Sequence, residues 1–370
     1  MKNLMNELPN TLLLGAGPSN IAPATYHALA APILGHMHPY FIKVMDGVKE
    51  FLQQLMNTDN QLTVPLSTSG SGGMAAAFAN SVEPGDPVLI LQNGVFSERM
   101  SEMARRLEAD LTVLEFPWGE PVRTEVVEAE LKKRHYKVVG MIYGETSTGV
   151  LNPVPEIGGL LKDTDTIFLV DAVPTMGGCP LMVDQWGIDI CYSGSQKCLS
   201  CPPGLAPITF SPKAMDMMSK RKKPVGDWYM DVSQLMGYWG GTKRVYHHTA
   251  PINMIYSLYQ GLYNIFEEGP EKVFARHYAV HDQLVAAVEE LGWGMLVEPS
   301  AQMPMVNAIT LPEGIDPTML HDRLLNEYNI EIGVGLGALE GKIIRVGFMG
   351  YNAQPYNVDT LMNAVKDILK

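Results

Sequence analysis

Long apolar runs are missing from this 370-residue sequence, and so is any excess of positive charge. No stretch approaches the roughly 20 apolar residues that a membrane-spanning helix needs, so we expect no membrane segment. Residues 1–7 lack an apolar signal core and the sequence does not end in Ser-Lys-Leu, so we expect a cytoplasmic protein. The formal net charge of −13 disfavours nucleic acid as a partner, because like charges repel.

Cysteine is also scarce, with four residues in the chain. Cys198 and Cys201 have the C-x-x-C spacing of a redox pair or of half a zinc site. The other two cysteines do not form a second such pair, so we expect buried, reduced thiols. His247 and His248 do not change this expectation, because adjacent residues of a helix or strand face different ways. We therefore predict no metal site.

Short apolar segments separated by longer mixed segments fill the region between residues 60 and 210. Five strands are predicted there, at 88–91, 111–116, 137–143, 167–170 and 188–191, with a helix at 125–134. Strands that alternate with helical patterns predict a largely parallel sheet with helices on both faces.

The remaining third of the chain has a different pattern. A long helix is predicted over about 255–290, strands near 305–310 and 343–347, and a helix near 317–327. This composition predicts a smaller α+β domain that follows the α/β domain. We place the large domain, with an N-terminal arm, at residues 1–268 and the small domain at residues 269–370.

Small, polar and charged residues follow three of the predicted strands. Residues 144–149 (Gly-Glu-Thr-Ser-Thr-Gly) follow the third strand, Asp171 follows the fourth, and residues 193–197 (Ser-Gly-Ser-Gln-Lys) follow the fifth. Ligands bind at the carboxyl ends of strands in open α/β sheets. We therefore expect these three segments to face one site.

A glycine-rich segment, Ser-Gly-Ser-Gly-Gly at residues 69–73, precedes an alanine-rich stretch that predicts the start of a helix. Free backbone N–H groups at a helix start bind phosphate, and glycines let the phosphate approach. Residues 70–75 also fit the dinucleotide pattern G-x-G-x-x-A, but the next strand ends in Gln92-Asn93 without an acidic residue for the ribose. A P-loop is excluded, and a flexible loop is the remaining alternative. We favour a cradle for a phosphate monoester.

Asp171 and Lys197 indicate a cofactor when they are considered together. Alone, Asp171 would cap the following turn and Lys197 would be a solvated charge. Lys197, however, follows an apolar strand among small and polar neighbours, which favours a sheltered amine. Pyridoxal 5′-phosphate needs a lysine for its imine and a carboxylate that keeps its ring nitrogen protonated. We therefore predict this cofactor, with Lys197 and Asp171 as catalytic residues.

Two further residues have open alternatives at this point. Phe96, past another strand end, is either a core residue or a residue that stacks on the cofactor ring. Arg345, in a predicted strand of the small domain, forms either a surface ion pair or a bidentate clamp on a substrate carboxylate.

Residues 193–206, with Gln-Lys-Cys-Leu near the centre and Pro-Pro-Gly-Leu-Ala at the end, resemble the lysine motif of the class V aminotransferases. Within that class the sequence is most similar to the alanine–glyoxylate and serine–pyruvate aminotransferase family. The resemblance extends from residues 14–18 to residues 345–347, and the motifs at 144–149 and 171–173 occur in family order. It implies a pyridoxal-phosphate enzyme of fold type I that forms a homodimer with shared active sites.

The resemblance also implies a role for each site residue. Lys197 is implied to be the Schiff-base lysine and proton carrier, and Asp171 the partner of the pyridine nitrogen. The further cofactor contacts that it implies are Ser69, Gly70, Ser71 and Gln196 at the phosphate, Phe96, Ser147 and Val173 at the ring, and Tyr246 and Thr249 at the phosphate of the neighbouring subunit. Arg345 and the backbone near Gly17 are implied to bind the substrate.

The implied reaction is a ping-pong transamination from alanine or serine to glyoxylate or pyruvate. Ureidoglycine–glyoxylate aminotransferases share several of these motifs but tend to have Asn at the position of Tyr246, which favours alanine or serine here. Aminophosphonate and pyridoxamine transaminases are further alternatives. A cysteine desulfurase-type lyase is disfavoured, because it would need a reactive cysteine in the small domain and the chain has none after Cys201. A binding protein without turnover is disfavoured by the presence of Asp171, Lys197 and Arg345 together.

Overall fold

The computed structural model describes residues 3–240 and 244–370. The strands are β1 (Leu12–Leu13), β2 (Leu62–Leu66), β3 (Pro87–Gln92), β4 (Asp110–Glu115), β5 (Val138–Ile142), β6 (Gly144–Glu145), β7 (Val150–Leu151), β8 (Ile167–Asp171), β9 (Ile190–Tyr192), β10 (Ala206–Phe210), β11 (Gly294–Met295), β12 (Val306–Thr310), β13 (Ile330–Glu331), β14 (Gly333–Val334) and β15 (Ile343–Gly347).

The α-helices are α1 (Pro23–Leu29), α2 (Pro39–Met56), α3 (Gly70–Ser81), α4 (Val95–Arg106), α5 (Thr124–Leu131), α6 (Val154–Leu161), α7 (Pro212–Ser219), α8 (Val232–Trp239), α9 (Ile252–Glu268), α10 (Pro270–Glu290), α11 (Pro317–Tyr328) and α12 (Pro355–Ile368). Single 3₁₀ turns lie at Leu4–Glu7, Pro299–Ala301, Gly337–Leu339 and Gly350–Asn352. Among the residues that the structure describes, no helix combines the length and the apolar composition that crossing a bilayer requires.

The main sheet has seven strands in the order β2-β10-β9-β8-β5-β3-β4. Its neighbouring strands are parallel except at β10, which is antiparallel to both β2 and β9. The five predicted strands all belong to this sheet, so the prediction of a mostly parallel sheet is confirmed. The prediction did not include β2 and β10. Each of them contains a proline, Pro65 and Pro207, a residue type that is depleted in strands.

The carboxyl ends of β5, β8 and β9 lie side by side. In their register Ile142 is opposite Asp171, and Asp171 is opposite Tyr192. All residues of the three strands are buried, as expected for strands in the middle of a parallel sheet. The segments that follow these strands therefore emerge at one edge of the sheet, as the sequence predicts.

A second, antiparallel sheet has the order β11-β12-β15-β14, and α10, α11 and α12 pack with it. The apolar residues of this sheet and of the segments packed with it form a core cluster of their own, which includes Val280, Phe348 and Leu361. The large core cluster instead surrounds the main sheet. The division of the chain at residues 268 and 269 stays a prediction.

The single long helix expected over 255–290 is wrong in one respect, because the structure has two helices there. α9 ends at Glu268 and α10 begins at Pro270. Gly269 between them has φ of +96°, a conformation that favours glycine. Pro270 lacks an N–H group, so it suits the first position of a new helix but would break a continuous one.

An N-terminal arm connects the second sheet with the main sheet. Leu12 of β1 pairs with Ile330 of β13, and the N–H of Gly347 donates to the Leu14 carbonyl at 2.8 Å. Further along the arm, the Ser19 hydroxyl donates to the Lys197 carbonyl at 3.1 Å. The arm therefore fixes the second sheet relative to the segment that follows β9.

Candidate active site

Lys197 lies in the loop after β9, and its residue is only 9% exposed. Its Nζ donates a short hydrogen bond to the carbonyl oxygen of Ala16 in the N-terminal arm. Burial lowers the pKa of the Lys197 amine to about 8, although the Asp171 carboxyl opposes this shift. The unprotonated amine, which is the state that reacts with a carbonyl or takes a proton, is therefore far more populated near neutral pH than in an ordinary lysine.

Asp171 is the last residue of β8 and is buried at the same edge of the sheet. Its Oδ1 accepts a hydrogen bond from the Val173 N–H at 2.7 Å. Burial raises the pKa of this carboxyl to about 7. The ionised form therefore needs a cation opposite it, and a protonated ring nitrogen is a suitable cation.

The predicted helix start is confirmed, since α3 begins at Gly70 with Ser69 as its N-cap. The Ser69 Oγ accepts a hydrogen bond from the Gly72 N–H at 3.4 Å. Gly70 also approaches Val173 closely, because a Cβ on Gly70 would lie 3.2 Å from a Val173 methyl group. The first backbone N–H groups of a helix have no partner within the helix, so the start of α3 can bind an anion.

A cavity joins these features. It is lined by Gly70, Ser71, Met74, Phe96, Ile142, Gly144, Thr146, Asp171, Val173, Pro174, Gln196 and Lys197. The structure thus brings together seven of the predicted site residues, namely Gly70, Ser71, Phe96, Asp171, Val173, Gln196 and Lys197. Phe96 lines the cavity and also packs against the large core. It is therefore partly a core residue, and its predicted stacking on the cofactor ring stays a prediction.

Gly17 lies against the catalytic lysine. Its φ is +100°, and a Cβ at this position would lie 2.6 Å from Lys197 Nζ. Any side chain here would displace the amine, so the sequence needs glycine at this point.

Ser147 is close to the cavity but does not line it. Its hydroxyl donates to Glu145 Oε1 at 2.6 Å and accepts from the Val95 N–H at 3.0 Å. The side chain therefore connects residues 144–149 with the start of α4. Its predicted contact with the cofactor ring or the substrate stays a prediction.

Glu145 is a residue of this region that the sequence analysis did not single out. It is fully buried, and besides Ser147 it accepts hydrogen bonds from the N–H groups of Phe96 at 3.2 Å and Ser97 at 3.1 Å. Burial raises the pKa of its carboxyl. Glu145 therefore holds the first turn of α4, which includes Phe96. Its place directly after β5 was the available signal, but it has no charged neighbour in the sequence.

Arg345 lies in β15, 8% exposed. Its Nε donates to the Val334 carbonyl at 2.9 Å, and its Nη1 donates to the Thr146 carbonyl at 3.0 Å. Thr146 itself lines the cavity. Arg345 makes no ion pair with the described residues, so the surface-ion-pair alternative is wrong. Burial lowers the pKa of this guanidinium group, which has two backbone anchors and free N–H groups for an anion.

Tyr246 and Thr249 do not line this cavity. Tyr246 is 57% exposed, its hydroxyl lies 3.5 Å from that of Thr249, and its ring centroid is 5.0 Å from that of His36. The prediction that they reach the phosphate of a neighbouring subunit stays a prediction.

The expectation that His247 and His248 face apart is wrong. Their Nδ1 atoms are 2.8 Å apart, because this segment is neither helix nor strand. Within residues 3–240 and 244–370, no group of three or more metal-ligating side chains occurs. All four cysteines are buried free thiols, and burial raises their pKa values.

Residues 24–361 match the family described as aminotransferase class V. The chain belongs to the class V aminotransferases. This family depends on pyridoxal phosphate, and the α/β architecture with a mostly parallel main sheet is that of fold type I. The chain is therefore a transaminase, which acts on an amino acid and an oxo acid.

Several class V aminotransferases are similar over nearly the whole chain. The crystal structure of alanine–glyoxylate aminotransferase from Nostoc sp. has a TM-score of 0.96 and 39% identity, and covers 100% of both chains. Alanine–glyoxylate aminotransferase of Callithrix jacchus is 37% identical over 98% of this chain and 88% of its own length. The (S)-ureidoglycine–glyoxylate transaminase of Bacillus subtilis (strain 168) is 35% identical over 98% of this chain and 91% of its own length.

Proposed function

We propose that the chain binds pyridoxal 5′-phosphate on Lys197 and transfers an amino group from alanine or serine to glyoxylate or pyruvate. The observation that carries the proposal is the cavity in which a buried amine and a buried carboxyl meet the start of α3. Each of these three features matches a different part of the cofactor, namely the aldehyde, the ring nitrogen and the phosphate.

Two details of the cavity support a phosphorylated ligand. Gln196 lines the cavity, and the N–H groups of its side-chain amide can donate hydrogen bonds to an anion there. Gly70 provides the second detail, because it lines the cavity as the first residue of α3, where backbone N–H groups have no partner within the helix.

The bound cofactor would supply an aldehyde for amines and a protonated ring that withdraws electrons from the substrate Cα–H bond. Lys197 Nζ would then remove the proton from the substrate Cα, because its lowered pKa of about 8 leaves a free amine near neutral pH. Asp171 would keep the ring nitrogen protonated and would itself stay ionised there. The Ala16 carbonyl accepts a hydrogen bond from the free Lys197 amine and thereby orients it.

The proposal gives the substrate carboxylate to Arg345, which does not itself line the cavity but donates to the carbonyl of Thr146, a lining residue, and keeps further N–H groups for an anion. The N-terminal arm borders the reactive end of the lysine, since Lys197 Nζ donates to the Ala16 carbonyl and a Cβ at Gly17 would clash with the same amine. The names of the similar alanine–glyoxylate aminotransferases support glyoxylate as an acceptor.

A second candidate is transamination between (S)-ureidoglycine and glyoxylate. The observation in its favour is the Bacillus subtilis transaminase of that name, which resembles this chain about as closely as the alanine–glyoxylate enzymes do. Tyr246 favours the first candidate.

The proposal includes a homodimer in which Tyr246 and Thr249 serve the partner's site. Exposed apolar side chains support it, among them Tyr26, Ile33 and Tyr40 on one segment and Trp228 on another. Large contiguous apolar patches on soluble proteins mark binding surfaces. Light scattering of the purified chain should give twice the mass of one chain, and a monomeric mass would contradict this part.

The reaction is tested on the purified, cofactor-loaded chain with a panel of donors in the absence of an acceptor. Alanine or serine should convert the cofactor absorbance to that of its amine form, and glyoxylate or pyruvate should restore it. Lys197→Ala is the control and should not respond. Conversion by ureidoglycine alone would favour the second candidate, and conversion by none of the three donors would contradict both.

A further inference from the structure

Arg99 lies on α4, three residues after Phe96, so both side chains project from one face of the helix. Its Nη1 donates a hydrogen bond to the Ser71 Oγ at 3.0 Å. Its Cζ atom lies 5.0 Å from the centroid of the Phe96 ring. Because Ser71 and Phe96 both line the cavity, the guanidinium group lies beside the start of α3.

The charge of Arg99 is not neutralised within the described residues. It makes no ion pair there, whereas Glu102, one turn further along α4, pairs with Arg105 and Arg106. A guanidinium group has five N–H donors, and the bond to Ser71 uses one of them. The cation–π contact with Phe96 fixes the position of the group without changing its charge.

An anion at the start of α3 needs such a cation. The chain has a net charge of −13, and the carboxyls of Asp171 and Glu145 are buried nearby. The partial positive charge of a helix start amounts to about half an elementary charge, which is less than a phosphate monoester carries. No other lysine or arginine in the described ranges donates a hydrogen bond to Ser69, Ser71 or Gln196.

We propose that Arg99 is the cationic binding partner of the cofactor phosphate, acting through Ser71 and through its own free N–H groups while the Phe96 ring holds it in place. This inference rests on the proposed function, since it presupposes pyridoxal phosphate in the cavity. It assigns to Arg99 a role in binding the phosphate and no role in binding the ring.

The test compares pyridoxal phosphate with pyridoxal, which has the same ring and aldehyde but no phosphate. The cofactor-free wild type and Arg99→Gln are titrated with each compound, and dissociation constants are taken from the imine absorbance. Arg99→Gln should weaken the binding of pyridoxal phosphate by about tenfold or more, as expected for a charge-assisted hydrogen bond. The binding of pyridoxal should change by less than about twofold, within the range of surface substitutions.

Arg123 provides a matched control, because it stacks on Phe116 at 5.9 Å and neither residue lines the cavity. Arg123→Gln should leave both dissociation constants unchanged. Arg99→Lys keeps the positive charge but not the planar guanidinium group. It should raise the dissociation constant for pyridoxal phosphate by less than Arg99→Gln does. This variant also serves if Arg99→Gln does not fold.

Equal weakening of both compounds in Arg99→Gln would overturn the inference, because it would mean that Arg99 acts through the ring or the fold. Unchanged affinity for pyridoxal phosphate would overturn it as well. If the wild type forms no imine with pyridoxal phosphate, the proposed function fails, and the inference fails with it. If the wild type binds pyridoxal phosphate but Arg99→Gln weakens both compounds equally, only the inference about Arg99 fails and the proposed function stands.

Discussion

The parallel strands of the main sheet begin on one side of the sheet, its amino edge, and end on the other, its carboxyl edge. Lysine and aspartate occur at both edges, but they interact differently there. At the amino edge, Lys137 directly precedes β5 and its Nζ lies 2.6 Å from an oxygen of Asp86. Lys213 lies 2.7 Å from Asp189, which directly precedes β9. At the carboxyl edge, the Lys197 amine instead donates to a backbone carbonyl. Cations are paired with carboxylates at one edge and left for ligands at the other.

This difference explains why one edge is a site and the other is a surface. Paired charges stabilise the fold modestly and offer nothing to a ligand. Buried groups without a charged partner, such as Asp171 and Arg345, cost free energy in the empty protein, and that cost disappears when a complementary ligand binds. The unpaired groups at the carboxyl edge therefore lower the free energy of unfolding of the empty protein, as is common at functional sites.

The largest expected effect is that of Lys197→Ala compared with Lys137→Ala. Loss of the Lys197 amine should reduce kcat by at least about 10²–10⁴-fold, because the proton carrier is removed. Lys137→Ala should leave kcat unchanged. Steady-state assays with alanine and glyoxylate measure both. Retention of wild-type turnover by Lys197→Ala would break the comparison.

Asp171→Asn, paired with Asp189→Asn, should give the next largest effect. An amide cannot keep the ring nitrogen protonated, so we expect kcat to fall by about 10²–10³-fold, the scale of a lost electrostatic contact. Asp189 accepts from Ser211 and pairs with Lys213, so Asp189→Asn should lower stability by about 1–3 kcal/mol with little change in kcat. Assays and urea unfolding separate the two, and similar kcat losses in both variants would count against a special role for the carboxyl edge.

Arg345→Gln should raise KM for both the amino acid and the oxo acid by about 10–100-fold, because a charge-assisted bidentate contact is lost. Arg134 is a suitable control, since it pairs with Asp110 at the start of β4 and does not line the cavity. Arg134→Gln should leave both KM values unchanged. A rise in KM for only one of the two substrates would show that Arg345 does not bind the shared carboxylate.

The smallest expected effect concerns the stability of the cofactor-free protein. Burial lowers the pKa of Lys197 from 10.5 to about 8, so keeping the protonated amine buried reduces the free energy of unfolding. This reduction is full below pH 8 and declines as pH rises from about 8 to 10.5. Lys197→Met should therefore stabilise the empty protein by at least about 1 kcal/mol at neutral pH. The gain should vanish towards pH 10.5.

The matched variant Lys213→Met should lower stability at neutral pH, because it leaves the buried Asp189 without its cation. Urea unfolding of both variants at pH 7 and pH 10 is the measurement. Destabilisation by Lys197→Met at pH 7 would show that the lysine is not penalised by burial.

Most of the carboxyl edge could be predicted from the sequence. Asp171 directly follows the apolar run 167–170, and Lys197 comes shortly after the segment 188–191, which is apolar except for Asp189. Periodicity detects such segments well. Glu145 also follows a predicted strand, but its role and that of Arg99 could not be found in this way, because both depend on how α4 lies against the segment after β5 and the start of α3. Such packing between elements leaves no periodic signal in one sequence.

Other features came from the resemblance or from the structure alone. Nothing in the strand pattern pointed to Tyr246 and Thr249, and their predicted role depends on a second chain. The anchors of Arg345 lie far apart in sequence, at Val334 and Thr146, so only the fold brings them together. The proline-containing strands β2 and β10 lacked the composition that identifies a strand.

Reductive trapping identifies the lysine that carries the cofactor, which we propose to be Lys197. The chain loaded with pyridoxal phosphate is treated with borohydride, which fixes the imine, and is then digested for peptide mass spectrometry. We predict one modified residue, Lys197, with none at Lys137 or Lys213. A label on any other lysine, or no label in a preparation that has bound the cofactor, would contradict the account.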